Sequence, residues 1–299
     1  MNGVLIVDKP KGLTSHDVVN RVRRVLGQKS VGHVGTLDPL ATGVLPLVIG
    51  HLTRLAQFYT TAEKQYEGVI RFGFSTDTYD AEGEPTSAPQ ISQVTLEQLR
   101  TLAKRFCGDI EQTPPPFSAK KIQGIPAYKL ARKKKDFSLK PVMVKVMDFE
   151  MENIEGGQAR FRARVASGTY MRSIAHDLGQ LAGCGAHLQS LRRTAVSEFS
   201  IEDSHTIEEL EQASDSASRE ALFIHPRRLL PQFPSVTATP DVTARIRNGR
   251  SVNLPDLSRA PLVKVFDGQA DLIAICSRVA GTLFHPKIVL IGSGAGQVA

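Results

Sequence analysis

The stretch Gly32-His33-Val34-Gly35-Thr36-Leu37-Asp38-Pro39-Leu40-Ala41-Thr42-Gly43-Val44-Leu45 constrains this chain more than any other. Its three glycines and one proline break regular helix or strand, so the backbone there is a shaped loop. The remaining residues are mostly small or apolar, and they hold a single carboxylate, Asp38. Desolvating a charge is costly, so an acid in such surroundings needs a partner. Two readings fit the residue types: a buried aspartate capping a turn, or a catalytic carboxylate.

At 299 residues the chain has room for one large domain and a small one, or for two medium domains. Its 41% hydrophobic and 22% charged content is that of an ordinary globular protein. No apolar run approaches the roughly 18 residues of a membrane span. The start, Met1 to Pro10, has no basic leader and too short an apolar run for a signal peptide, so the expected location is the cytoplasm, with no membrane partner. Cys107, Cys184 and Cys276 lie far apart and form no Cys-x-x-Cys pair, so no metal site or disulfide framework is expected. Cys184 and His187 are too few ligands for a metal.

The net charge of +7 is concentrated. Between Ser118 and Val146 stand Lys120, Lys121, Lys129, Arg132, Lys133, Lys134, Lys135, Lys140 and Lys145, against Asp136 alone. A charge run is ordinarily a solvated loop. Here Pro114-Pro115-Pro116, Tyr128 and Phe137 accompany it, which favours contact with nucleic acid.

Val4 to Val7 reads as a buried strand. A helix follows, capped by Thr14 or Ser15, with Val18, Val19, Val22, Val25 and Leu26 at helical spacing and Gly27 ending it. Val44 to Ile49 is a strand or a helix start. Tyr66 to Phe74 alternates as a strand and runs into the polar turn Ser75 to Gly83. Thr95 and Gln98 form a capping box for a second helix, with Leu96, Leu99, Leu102 and Phe106 on its buried stripe. Val142 to Glu150 and Ala159 to Val165 are strands. In the latter, Phe161, Ala163 and Val165 alternate with Arg160, Arg162 and Arg164, giving one buried face and one basic face. A helix spans about Met171 to Leu181, and Asp203 to Glu220 reads as a surface helix and connector. From Pro231 the texture is β-rich, with turns of Gly, Pro and Asp, as in a small barrel-like domain. Its bases Arg245, Arg247, Arg250, Arg259, Lys264, Arg278 and Lys287 outnumber Asp241, Asp256, Asp267 and Asp271. The terminal Gly292 to Gly296 follows a strand, but no helix can form after it, which argues against a dinucleotide site.

The string from Gly32 closely resembles the catalytic loop of the TruB family, the bacterial tRNA pseudouridine-55 synthases. Leu5 to Val19, Lys64-Gln65-Tyr66, Ser118 to Gly124, Ser167 to Ser173 and His187 to Arg193 are similar to further motifs of that family. The resemblance covers most of the first 200 or so residues. It implies an α+β fold: the pseudouridine-synthase fold, a mixed and mostly antiparallel sheet flanked by helices, over residues 1–230. A small β-barrel-like PUA domain is implied over residues 231–299. It also implies an isomerisation without cofactor or metal on the T-arm of tRNA, by a monomer with no protein partner. The glycosidic bond of a uridine breaks, the base turns, and a carbon–carbon bond re-forms to the same ribose.

On this resemblance Asp38 is the nucleophile, attacking either the ribose anomeric carbon or the base. Arg172 is its charge partner, and Tyr66 stacks on the flipped base and accepts its proton. Tyr170 and Leu191 line the pocket, His33 enters the T-loop in place of the extruded nucleotide, and Lys121 belongs to a basic loop on the RNA. Lys120 and Phe117 depart from the family, which often has an apolar residue and a tyrosine there. Read without the motifs, Arg172 is a solvated arginine at a helix start, Tyr66 a strand aromatic and Leu191 a helix-core leucine.

Two rivals remain. A non-catalytic RNA-binding protein shares the basic segment and the tail but has no use for a desolvated carboxylate. A glycoside hydrolase needs a second carboxylate about 5 to 10 Å from the first, and only Glu67 and Asp77 offer one, by elimination. A third reading keeps the chemistry with a guide RNA. The His33 loop and the chain length favour stand-alone recognition of tRNA.

Overall fold

The computed structural model describes residues 1–133, 137–255 and 260–290. Lys134, Lys135, Asp136, Asp256, Arg259 and Gly292 to Gly296, all named above, lie outside the described residues.

The chain opens with β1 (Gly3–Lys9), α1 (Ser15–Leu26), β2 (Val31–His33) and β3 (Thr42–Ile49). Next come a 3₁₀ segment (Gly50–Tyr59), β4 (Lys64–Phe72), α2 (Leu96–Ala103) and β5 (Gly108–Gln112). A small hairpin, β6 (Lys121–Ile122) and β7 (Ile125–Pro126), leads into α3 (Ala127–Arg132). Then follow β8 (Val142–Glu155), β9 (Gln158–Val165), α4 (Met171–Leu181), β10 (Ala186–Val196), β11 (Phe199–Ser200), α5 (Ile207–Gln212) and α6 (Ser216–Glu220). The C-terminal part holds β12 (Ser235–Thr237), α7 (Pro240–Arg247), β13 (Val252–Asn253), β14 (Leu262–Asp267), β15 (Asp271–Ala280) and β16 (Leu283–Val289).

Nine strands form one sheet with the central order β1-β3-β10-β4-β9-β8-β5, β2 pairing with β3 and β11 with β10. Every pairing is antiparallel except the short contact of β10 with β3, where Arg192 and Arg193 lie opposite Thr42 and Gly43. That contact brings the end of the Asp38 loop against β10. Five strands make a second sheet, ordered β12-β14-β15-β16-β13.

The apolar runs of β1 and β3 follow from burial on both faces. Leu5, Val7, Leu45, Leu47 and Ile49 point into the helix-covered core. Val4, Ile6, Val44 and Val48 point the other way, into a core shared with Phe266, Ile275 and Ile288 of the C-terminal part. Val44 to Ile49 is therefore strand. β9 alternates as its residues predict, but its outer arginines are not bare: Arg162 pairs with Glu152 at 2.8 Å and Arg164 with Glu63 at 3.4 Å.

Thr14 caps α1 with Asp17 in a reciprocal box, and Gly27 closes it at φ 58°. Thr95 and Gln98 do the same for α2, whose buried residues are Leu99 and Ala103, while Leu96 and Leu102 are only half-buried. Asp203 to Glu220 is less of a free surface than its acidity predicts. It divides into α5 and α6, and Ile207 and Leu210 enter the core. α7 was not evident from the β-rich texture, yet Thr239 caps it and Pro240 starts it. Lys264, counted above as a base for RNA, is buried and donates to the Arg227 and Leu229 carbonyls. It therefore holds the two parts of the chain together.

Candidate active site

The Asp38 loop joins β2 to β3 and is tied down from several sides. Ser15 Oγ, at the first turn of α1, donates to the Leu37 carbonyl and accepts from its amide at 2.8 Å. The Gly12 amide donates to the Pro39 carbonyl at 2.8 Å, and the Ala41 amide to that of Asp38. Lys9, at the end of β1, is fully buried and donates to the carbonyls of Pro10, Leu13 and, at 3.4 Å, Pro39. Burial pulls its ammonium down to about 8, against the opposing pull of Asp38. The loop is thus anchored by its backbone, leaving the Asp38 side chain for other work.

That side chain meets Arg172. The Asp38 Oδ2 to Arg172 Nε distance is 2.9 Å, with the carboxylate 42% exposed and the guanidinium only 6%. The contact is an ion pair off the hydrogen-bond axis. The rest of the guanidinium is committed elsewhere: to the Thr78 carbonyl at 3.2 Å, the Phe117 carbonyl at 3.0 Å and Asp80 Oδ2 at 3.5 Å. Arg172 is therefore not a solvated arginine at a helix start. It is held from behind, so its charge stays fixed beside an accessible carboxylate.

Asp80 is a residue that sequence reasoning missed. It sits in the turn read above as merely polar, and it is buried. Thr78 Oγ1 and the Glu82 amide donate to its other oxygen at 2.7 and 3.0 Å. The signal was present in Thr78-x-Asp80-x-Glu82, a spacing at which short side chains bond the backbone two residues on. Glu67 and Asp77, the acids left by elimination, do not join the site through Arg172. Glu67 lies exposed on β4, on the sheet face opposite Tyr66, and Asp77 caps the Glu84 amide.

Gln112 aligns α4. Its side chain accepts from the Tyr170 amide at 2.8 Å and donates to the Tyr170 carbonyl at 3.1 Å, while Ser173 Oγ donates to Thr113. This sets Tyr170, half-buried at the helix start, within reach of Asp38. Burial first, and the charge of Asp38 second, push its hydroxyl up.

Tyr66 and Leu191 lie on neighbouring strands of the helix-covered face, with Tyr66 opposite Arg193 and Gly68 opposite Leu191. Leu191 is thus a strand residue and not a helix-core leucine. The Arg193 guanidinium, on the strand beside Tyr66, donates to the Gly35 carbonyl of the Asp38 loop. His33 ends β2. Burial, together with Arg193, lowers its imidazole, and its Nδ1 is buried without a partner. Lys121 stands apart, exposed on the β6–β7 hairpin, whose turn residues Gln123 and Gly124 have φ 48° and 82°. That arm is nevertheless rooted in the site, since Phe117 supplies one of the carbonyls that hold Arg172. His187 packs against Phe74, and no metal-binding group is found among the described residues.

Residues 23–171 match the TruB family pseudouridylate synthase N-terminal domain, and residues 172–230 match the tRNA pseudouridylate synthase B C-terminal domain. The tRNA pseudouridine synthase B of Solibacter usitatus (strain Ellin6076) is 50% identical over 293 residues, 97% of this chain and 100% of the relative. This chain belongs to the TruB family. The tRNA pseudouridine synthase B of Aquifex aeolicus (strain VF5) is 37% identical over 97% of the chain and 100% of its own length. TruB proteins are isomerases that convert uridine to pseudouridine in tRNA. An H/ACA RNP bound to a substrate RNA containing 2′-deoxyuridine has a chain of the same fold, with TM-score 0.70 and 24% identity, covering 97% of this chain and 86% of that one. A Cbf5-Nop10-Gar1 complex gives TM-score 0.69 at 25% identity, covering 97% and 85%. The pseudouridine-synthase fold expected from sequence is present, and the five-stranded C-terminal sheet is consistent with the small β-barrel-like PUA domain expected there.

Proposed function

We propose that this TruB protein isomerises the T-loop uridine, position 55 of tRNA, with Asp38 as nucleophile on a base flipped out of the loop. The carrying observation is the unequal pair at the site: an accessible carboxylate 2.9 Å from a guanidinium that three further groups hold still. A fixed cation beside an accessible carboxylate supports a nucleophile poised at an electron-poor ribose better than it supports a salt bridge for stability. The N1 to C1′ bond breaks, C5 bonds to the same C1′, and the C5 proton leaves while N1 gains one.

Tyr66 stacks on the base and takes the C5 proton, and Leu191 packs on the base beside it. Tyr170, kept protonated, lines the pocket as a hydrogen-bond donor. His33 is held neutral by burial, which suits an uncharged imidazole entering the T-loop. Lys121 and its hairpin meet the phosphates of the T-arm. Residues 231–299 form a PUA-like module on the first 230, and the protein acts alone, as a monomer, on cytoplasmic tRNA.

Incubation with an unmodified tRNA transcript, followed by mapping of pseudouridine, tests the reading. Product confined to the T-loop position supports it; product elsewhere only, or tight binding without product, contradicts it. His33→Ala should weaken discrimination between intact tRNA and a minimal T-arm hairpin more than it slows chemistry. Unchanged kinetics on both RNAs would remove His33 from that role.

A further inference from the structure

We infer that Arg193 is a positioning residue that fixes the Asp38 loop relative to Tyr66. The inference rests on the reading of Asp38 as nucleophile. Arg193 lies on β10, two residues beyond Leu191, and is wholly buried. Its Nε donates to the Val44 carbonyl at 2.8 Å, its Nη2 to Gly35 at 2.9 Å and its Nη1 to Thr36 at 3.5 Å. Those carbonyls stand on both sides of Asp38 in the chain, so one planar fork grips the loop at its entry and its exit. Arg193 also stands directly opposite Tyr66 in the pairing of β10 with β4. Through this one residue, the loop that carries the carboxylate is tied to the strand position facing the tyrosine proposed to take the proton.

Two glycines of the loop allow this residue's close approach. A Cβ on Gly35, at φ 75°, would come within 3.3 Å of Arg193 Nη1 and 3.1 Å of Lys64 Cε. A Cβ on Gly43 would collide with the Arg193 carbonyl, where β10 and β3 pair. Among the described residues no carboxylate lies within ion-pair distance of Arg193. Its charge contributes to lowering Lys9, Lys64 and His33. Replacing a buried charge by an apolar side chain of similar volume is often neutral or stabilising. Stability alone therefore accounts poorly for a dry cation that repels its neighbours, whereas alignment of two reacting groups accounts for it directly.

The experiment compares Arg193→Lys, Arg193→Ala and Asp38→Asn in the full-length protein. Affinity for a T-arm hairpin is read by fluorescence anisotropy, and pseudouridine formation by single turnover at saturating RNA. A misplacement of about 1 Å costs on the order of 100-fold in rate, so Arg193→Lys should slow the single turnover by about that factor. Its RNA affinity should stay within about threefold of the original. Millimolar guanidinium should restore part of the rate to Arg193→Ala and none to Asp38→Asn. A folded Arg193→Lys protein that turns over within about threefold of the original overturns the inference. So does parallel loss of affinity and rate, with no guanidinium rescue. Should Arg193→Lys not fold, rescue of Arg193→Ala decides alone, and its absence counts against the inference. Wild-type turnover by Asp38→Asn would instead remove the nucleophile reading, whatever the Arg193 variants do.

Discussion

Asp38 and Arg172 divide the work of the site unequally, and single substitutions separate their roles. Arg172→Leu removes the cation between two carboxylates, one of them, Asp80, buried. Breaking a buried pair typically costs about 3–5 kcal/mol. Urea unfolding should register a loss near the lower end, and turnover should fall severely even at saturating RNA. A change in RNA affinity alone would make Arg172 a phosphate contact instead. Asp177, on the same helix, offers a pH test that does not touch the site. Burial raises its carboxyl from the usual range to about 6. The folded protein then binds a proton that the unfolded chain releases near pH 4, so stability is lost as pH rises from about 4 to 6. Asp177→Asn should raise the melting temperature at pH 7 and leave it unchanged near pH 4; an equal effect at both pH values would contradict this.

At the scale of elements, the sequence was most legible where one local rule decided the outcome. The capping boxes of α1 and α2, the alternation of β9 and the doubly buried runs of β1 and β3 all follow from period and caps. Thr14→Ala should cost about 1 kcal/mol, measured by urea unfolding, with an unchanged m-value. Because α1 begins at Ser15, which binds both polar groups of Leu37, turnover should fall along with stability. Arg193, Lys9 and Gln112 were harder to find. Each acts through backbone carbonyls or amides of a distant segment, and nothing in local period or composition marks such a partner. Motif resemblance pointed to Asp38, Arg172, Tyr66, Tyr170 and Leu191, whereas the groups that hold them required coordinates. Lys264 shows the opposite error: a base counted toward RNA whose ammonium is spent on carbonyls inside the molecule.

At the scale of the whole molecule, the C-terminal sheet is packed onto the first sheet and not merely tethered to it. Val4, Ile6, Val44, Leu52 and Leu55 share one core with Phe266, Ile275 and Leu290. Arg54 donates to the Val289 carbonyl at 2.7 Å, and Lys264 donates to the Arg227 and Leu229 carbonyls. A fragment of residues 1–230 would leave that apolar face in water, so it should aggregate or bind a hydrophobic dye where the full chain does not. A monomeric fragment with the original melting temperature would show that the two parts are independent. The central claim, that the accessible carboxylate beside Arg172 performs the chemistry on tRNA, is tested most directly by Asp38→Asn. The side chain keeps its size and loses its charge. The variant should bind unmodified tRNA as the original protein does and form no pseudouridine at the T-loop position. Pseudouridine formation within about tenfold of the original rate, a barrier change of only about 1.4 kcal/mol, would contradict the account.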